Sequence, residues 1–374
     1  MIIKSVYLKK EDCCGCSACY NICAKHAITM KSDEEGFLYP EIDQSRCIDC
    51  GICIAICPFK HEGNYKHSII PRFYATRHKS PDILRQSTSG GAFTAISDAI
   101  LHMDGVVYGA DYDQNFSVLH QRAETPEQRN QMRISKYVQS NMRDTYAKVK
   151  EDLKNGRVVL FTGTPCQVAG LRGFIGNSPL SEKLYLCDVI CHSIPSPKIW
   201  KDYKSLLEQE SGGRITGVQF RSKKYAWRRE NSNKGFLYTT DRSSEVHEDD
   251  RFYHLFFKTG TITRLSCYQC RFTDIHRVSD LTIADYWGIE KYSSEWFDPL
   301  GVSLILVNSS KGEALLEHFK QDLIVEERPK EEALNEQKRL NEPSSLPENR
   351  SQFWKDYKDF GFKYILNQAY KNKY

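Results

Sequence analysis

Apolar positions between residues 72 and 307 fall into short continuous or alternating runs, separated by stretches in which they recur every three or four residues. The first pattern suits strands and the second suits helices that bury one face. Arg72–Thr76 predicts a short strand, and Gly91–Met103 a helix after a Ser/Thr/Gly-rich turn. Gly105–Gly109 predicts a strand, and Arg143–Asn155 an amphipathic helix closed by Gly156. Val158–Thr162 reads as a buried strand opening into Gly163-Thr164-Pro165-Cys166. Leu184–Cys191 reads as another strand and Pro197–Glu210 as another helix. Residues 213–265 look strand-rich and suit antiparallel additions. Beyond Ser310 the chain turns charged and helical, with a helix expected at Lys330–Leu340 after Pro329. In Gln352–Tyr370 the aromatic stripe Phe353, Trp354, Tyr357, Phe360, Phe362, Tyr364 and Ile365 suits packing on the preceding domain.

Residues 1–60 follow a different rule. The spacing C-x2-C-x2-C-x3-C occurs twice, at Cys13, Cys16, Cys19, Cys23 and at Cys47, Cys50, Cys53, Cys57. Between the two runs, residues 27–43 read strand–turn–strand, with Asp33-Glu34-Glu35-Gly36 at the turn. Residues 61–71, with Gly63, Asn64 and Pro71, suit a linker. The 374 residues are too many for one ordinary core. Three parts are expected: 1–65, 72–310 and 311–374.

The doubled run is the spacing of bacterial ferredoxins that hold two 4Fe–4S clusters. Three thiolates of one tight loop reach three corners of a cubane, and the fourth cysteine of the run faces the other cluster. This assigns Cys13, Cys16, Cys19 and Cys57 to one cluster and Cys47, Cys50, Cys53 and Cys23 to the second. Zinc fits poorly, because it takes four ligands, usually as two separated pairs. Cys23 is followed by Ala24 where Pro58 follows Cys57, a change that loosens the turn without removing a ligand. Cys14 fits neither set and reads as a bystander thiol. For Cys166, Cys187, Cys191, Cys267 and Cys270, a third four-cysteine site and scattered buried thiols both suit the residue types.

Composition narrows the class. Apolar residues make up 40% and charged residues 27%, so the chain is globular. The formal charge of +4, without a basic cluster, argues against nucleic acid. Three oxidised clusters at about −2 each would bring the loaded protein to about −2 overall. Neither a signal peptide nor a membrane span is expected, since the longest apolar runs, such as Val302–Val307, are far too short. Fourteen cysteines without an export signal imply a cytoplasmic protein with reduced or metal-bound thiols.

Six segments then show a resemblance. Residues 86–101, 135–140 (SKYVQS), 161–174 (FTGTPCQVAGLRGF), 190–200, 267–289 and 348–362 resemble the beta subunit of coenzyme F420-reducing hydrogenases and dehydrogenases. That family also resembles plant 7-hydroxymethyl chlorophyll a reductase. The fold class implied is α+β: a two-cluster ferredoxin domain, a mixed α/β flavin-binding domain and a helical C-terminal tail. The resemblance implies bound FAD. It also implies a third 4Fe–4S cluster on Cys166, Cys191, Cys267 and Cys270. Ser87, Thr88, Ser89, Gly90 and Gly91 precede a helix, whose N-terminus suits a pyrophosphate, although an ordinary capping turn has the same composition. Lys136, Tyr137, Gln139 and Asp285 are further candidate flavin contacts. Ala284 stands where the family commonly has Gly.

The function expected is an iron–sulfur flavoprotein oxidoreductase moving electrons between clusters and FAD to reduce or oxidise a small organic substrate. Its partners would be that substrate and an electron-donor protein such as a ferredoxin, with a homo-oligomer or partner subunit left open. An electron-transfer subunit serving a separate catalytic partner, a coenzyme F420-linked oxidoreductase, and a redox sensor without turnover are the alternatives. His192, beside a cluster cysteine, is the candidate proton donor, and hydrogen-bonded support of the cluster or the backbone is its plainer role. Asp285 and Tyr286 are weaker candidates. The basic stretch Arg221–Arg229 reads as a solvated hairpin, or as a surface for an acidic substrate.

Overall fold

The structure is a computed structural model that describes residues 4–61, 65–231, 234–247 and 250–371. Thirteen strands run in chain order: β1 Ile28–Ser32, β2 Leu38–Ile42, β3 Arg72–His78, β4 Val106–Tyr112, β5 Val118–Ala123, β6 Val159–Gly163, β7 Leu184–Val189, β8 Ile215–Gln219, β9 Phe236–Thr240, β10 Ser244–His247, β11 Leu281–Asp285, β12 Ser303–Val307 and β13 Leu323–Arg328. Eight of them form one sheet in the order β13-β3-β12-β11-β7-β6-β4-β5. Its centre, β11-β7-β6-β4, is parallel. The flanking pairs β4–β5, β11–β12, β12–β3 and β3–β13 are antiparallel.

Both faces of this sheet are covered, which explains why its strands read as continuous apolar runs. On one face Val106, Tyr108, Val159, Phe161, Leu184 and Leu186 pack with the helices Thr145–Lys154 and Pro165–Ile175. On the other, Val107, Leu160, Cys187, Leu281 and Ile305 pack against Ala92–His102 and Ser310–Phe319. Residues one apart point to opposite faces, as the pleat requires. Burying each such aliphatic side chain contributes about 1.5–3 kcal/mol. Cys187 belongs to this core.

Three expectations change here. β8, β9 and β10 are not additions to the main sheet but a separate antiparallel sheet. It packs with the helices Pro197–Ser211 and Arg350–Phe360 and with Phe362–Tyr370. The stretch beyond 310 is not purely helical, since β13 supplies the edge of the main sheet. The aromatic stripe breaks at Gly361 (φ 80°): Phe353 and Ile365 enter the core, whereas Phe360 is exposed. Of the expected linker, Gly63 and Asn64 lie outside the described residues.

The N-terminal lobe carries the antiparallel pair β1–β2 and the short helices Ala18–Ile22 and Ile52–Ala55. It docks on the covered face of the main sheet through the helix Pro165–Ile175. Thr164 and Gln167 form a capping box and Pro165 opens the first turn. Gly170 and Gly173 then lie on the side facing the lobe. A Cβ on Gly170 would stand 2.9 Å from Cys16 Sγ, and one on Gly173 2.8 Å from the Ile56 carbonyl. At the hairpin turn, Glu35 is buried against Arg350, with Arg350 Nη1 donating to Oε1 at 2.8 Å. Gly36 (φ +88°) lies flush on Lys198, where a Cβ would collide with the side chain.

Candidate redox site

The two cysteine runs share a backbone as well as a spacing. Gly15 and Ser17 in the first loop, and Asp49 and Gly51 at the equivalent places in the second, all have φ between 52° and 75°. Left-handed residues alternating with ordinary ones turn successive N–H groups inward, which makes a concavity suited to an anion. A thiolate-ligated cubane is such an anion. Cys19 lies within electrostatic reach of Cys13, Cys57 and Cys53, and Cys16 of Cys19 and Cys57. Cys53 has Cys50, Cys23 and Cys47 around it. Space therefore groups these eight cysteines as their spacing does, with the fourth of each run crossing to the other set. Among the described residues no three Cys, His, Asp or Glu side chains close tightly enough to hold a single metal ion. A zinc site would need that closeness, whereas a cubane spreads its thiolates over four corners.

A second group of four forms where the helix Pro165–Ile175, the end of β7 and the turn Leu265–Gln269 meet. Cys166 is in the first turn of the helix, where the dipole favours a thiolate. Cys191 lies two residues beyond β7, which ends at Val189 rather than at the cysteine as the pattern suggests. The bridge between Pro195 and Thr263, with Arg264 N–H donating to the Ile194 carbonyl at 3.0 Å, holds residues 191–195 beside residues 263–270. Burial, followed by Cys267, Cys166 and Cys270, pushes the Cys191 thiol well above the usual range. Burial and then Cys166 raise Cys270, to about 11. Four buried thiols that oppose one another's ionisation need a cationic group to stay together as thiolates, and iron supplies one. Cys14 is no bystander: its thiol is buried and hydrogen-bonds with both Cys16 and Cys166, at the seam between the two groups.

Next to Cys191 lies a cavity of about 550 Å³ at the carboxyl ends of the parallel strands β4, β6, β7 and β11, the place where open α/β sheets bind ligands. Ser87, Thr88, Ser89, Gly91, Lys136, Tyr137, Gln139, His192 and Asp285 all line it. Gly90 does not. A Cβ there would meet the Ser303 N and Thr76 O atoms of the sheet within 2.5 Å, so this glycine lets the loop lie against β12 and β3. The three hydroxyls of the loop are occupied: Ser87 donates to the Ile83 carbonyl, Ser89 to the Val302 carbonyl, and Thr88 accepts from Ser135 N–H. Any anion here would be held by backbone N–H groups at the start of Ala92–His102. Tyr286 is away from the cavity, in the core with Trp296.

Several candidate side chains have partners of their own. Gln139 donates to the Cys14 carbonyl at 3.2 Å and accepts from Arg264 at 3.0 Å, clamping the first cysteine loop. Lys136 donates to the Gln131 and Ile134 carbonyls, and burial pushes its amine down to about 8. The basic stretch is not a solvated hairpin. Arg221 faces the cavity, ion-pairs with Asp285 at 3.3 Å and lies over the Trp287 ring. Trp227 stacks on Trp287 and donates to Asp285 at 2.6 Å. Lys223 donates to the Ser89 carbonyl at 3.3 Å. Asp285 therefore anchors this wall. His192 packs with Phe256 and Phe257 at the cavity edge.

One network has no signal in the sequence. His120 Nε2 is 2.9 Å from the Thr162 carbonyl, an acceptor only, so Nε2 carries the hydrogen. Nδ1 then accepts from Ser140, whose oxygen accepts from Gln167 at 2.8 Å. Burial pushes His120 down to about 4, so it stays neutral, stacked on Phe161. This chain ties the motif at 135–140 to the helix bearing Cys166.

Known families match both ends of this layout. A family model that describes the C terminus of the coenzyme F420 hydrogenase/dehydrogenase beta subunit matches residues 156–333. One described as a 4Fe–4S dicluster domain matches residues 12–61. An uncharacterized ferredoxin of Methanocaldococcus jannaschii is 34% identical over 53 residues, which are 14% of this chain and 68% of that protein. A chain of the F420-reducing NiFe hydrogenase complex from Methanosarcina barkeri superposes with a TM-score of 0.48 and 17% identity, covering 82% of this chain and 91% of its own. Among the described residues no helix is long and apolar enough to cross a membrane. With a dicluster domain in front, this is an iron–sulfur electron-transfer oxidoreductase, and the chain belongs to the coenzyme F420 hydrogenase/dehydrogenase beta subunit family.

Proposed function

We propose that the chain is an iron–sulfur flavoprotein with three 4Fe–4S clusters and one FAD, acting between a one-electron protein donor and a small organic substrate. One observation carries this reading: Cys191 belongs to the second group of four cysteines and also lines the cavity where residues 87–91, 135–140, 190–195 and 283–287 converge. The third cluster would sit on Cys166, Cys191, Cys267 and Cys270. The residues present suit FAD. A backbone N–H cradle opens the helix Ala92–His102, aromatic Tyr137 and Trp287 line the wall, and Arg221 supplies a fixed positive charge. Bound there, FAD would supply the junction between one-electron and two-electron chemistry. His192 is placed to hold a proton at the cavity edge, and turnover undiminished in His192→Ala would remove it from that role.

At the other end of the chain's cysteines, Cys50 is exposed and Ile48 and Ile52 beside it are bare apolar side chains. This surface suits the electron donor. It equally suits a second reading, in which the chain is the electron-transfer subunit of a separate catalytic partner or works with coenzyme F420, as the family's description allows. Anaerobic purification with iron, sulfide and flavin quantified tests the main reading. About twelve irons and one FAD per chain are expected. Clusters without flavin would overturn it. Reduction of the flavin by reduced ferredoxin and reoxidation by a small acceptor, with this chain alone, would favour the enzyme over the subunit.

Lys136 gives a pH test. Its lowered value means that the cavity by itself disfavours the ammonium. A bound phosphate would favour it, so binding takes up a proton wherever the free amine is neutral. FAD affinity, followed by flavin fluorescence, should be flat below about pH 8 and fall above it, and Lys136→Met should abolish that fall.

A further inference from the structure

Buried arginines in this protein have carboxylate partners, with one exception. Arg277 pairs with Asp188, Arg350 with Glu35 and Arg129 with Asp98. Arg264 is fully buried, and among the described residues no Asp or Glu forms an ion pair with it. Its guanidinium is instead wrapped by the first cysteine loop. Nε donates to the Cys13 carbonyl at 2.9 Å, Nη1 to Gln139 Oε1 at 3.0 Å and Nη2 to the Leu38 carbonyl at 3.0 Å. Nη2 also points at Cys13 Sγ, 3.7 Å away, and the plane lies 4.2 Å from the Tyr39 ring centroid. The charged groups facing it are Cys13, Tyr39, Cys14 and Cys267. A buried charge without a counter-ion costs several kcal/mol, and a guanidinium does not shed its proton. The anion that answers it is the thiolate-ligated cluster at Cys13.

We propose that Arg264 sets the reduction potential of the cluster held by Cys13, Cys16, Cys19 and Cys57, raising it by a permanent positive charge at the Cys13 sulfur. The proposal rests on that assignment of cysteines. Reduction adds one electron to the cluster, and a fixed positive charge in a low-dielectric enclosure stabilises the more negative form. The effect is selective. Around the other set, the sulfur contacts are Ala27 N–H to Cys23 and Asp49 N–H to Cys47, with no cation among the described contacts, and Cys50 is exposed. Arg264 also stands three residues before Cys267, so a raised potential would rest an electron on the cluster adjoining the second cysteine group.

The test is an anaerobic redox titration of the full-length protein followed by electron paramagnetic resonance, on the parent, R264Q and R264K. The parent should hold at least about eight irons and show two titrating ferredoxin-type signals; fewer would mean that the cysteine assignment itself is wrong. In iron-replete R264Q one signal should become at least tenfold harder to reduce, a fall of about 59 mV for one electron, while the other stays in place. Unmoved potentials, or equal movement of both, would overturn the proposal. If R264Q loses iron, R264K decides. Lysine keeps the charge, so a fall smaller than tenfold supports the proposal, and a tenfold fall in iron-replete R264K overturns it.

Discussion

Replacing Arg277 with methionine is expected to destabilise the protein by about 3–5 kcal/mol, the cost of leaving a buried ion without its partner. Arg277 and Asp188 are both essentially inaccessible and 3.0 Å apart. The guanidinium also donates to the Phe272 and Asp274 carbonyls, at 2.9 and 3.1 Å, and to the Val189 carbonyl at 3.3 Å. It thereby ties the segment after Cys270 to the segment before Cys191. Burial already pushes the Asp188 carboxyl up, against the pull of Arg277. Without the arginine that rise should be larger. A carboxyl raised in the folded state binds more protons folded than unfolded, so its stability contribution is present in acid and lost as pH rises. The deficit of Arg277→Met should therefore shrink as pH falls into the carboxylate range. Thermal unfolding at several pH values checks this. Asp188→Leu combined with Arg277→Met should recover much of the loss, because an apolar pair needs no counter-charge.

Cys270→Ala should lower the iron content from about twelve to about eight atoms per chain and leave both ferredoxin-type signals intact. Cys270 lies with Cys166, Cys191 and Cys267, in a turn remote in sequence from the N-terminal runs. Removing one of four ligands of a buried cubane leaves an iron uncapped. Electron passage from the N-terminal clusters to the cavity should then fail, seen as flavin no longer reduced by reduced ferredoxin. Retention of about twelve irons in this variant would show that Cys270 is not a ligand, and loss to about four would show that the two lobes' sites are not independent.

The legible parts of the sequence are those in which spacing is local. The strands β6 and β7 and the helices Ala92–His102 and Pro197–Ser211 lie within two residues of their periodic patterns, because both faces of the sheet are buried and its runs are uninterrupted. β13 escapes such a reading because an edge strand with Glu326, Glu327 and Arg328 on its exposed side has the composition of a solvated helix. The basic stretch at 221–229 misleads for a related reason. A charge run looks solvated until a partner such as Asp285, more than fifty residues away, turns it inward. Arg264 does leave a mark, since it flanks the cysteine pair at 267 and 270. His120 leaves none.

By itself, the sequence determined the two N-terminal cysteine sets, because three ligands within seven residues must share one loop and one anion. It also determined the helix that presents Cys166, through Thr164, Pro165 and Gln167. Only the tertiary structure decided that Cys166, Cys191, Cys267 and Cys270 meet, that Cys14 lies at the seam, and that Gly170 lets the lobes close to contact distance. Those ligands come from three segments separated by up to about a hundred residues, and no local periodicity encodes a meeting set by the order of strands in a sheet. The unpaired charge of Arg264 belongs to the same class: its meaning lies in the absence of a nearby carboxylate among the described residues, which becomes visible only when the chain is folded.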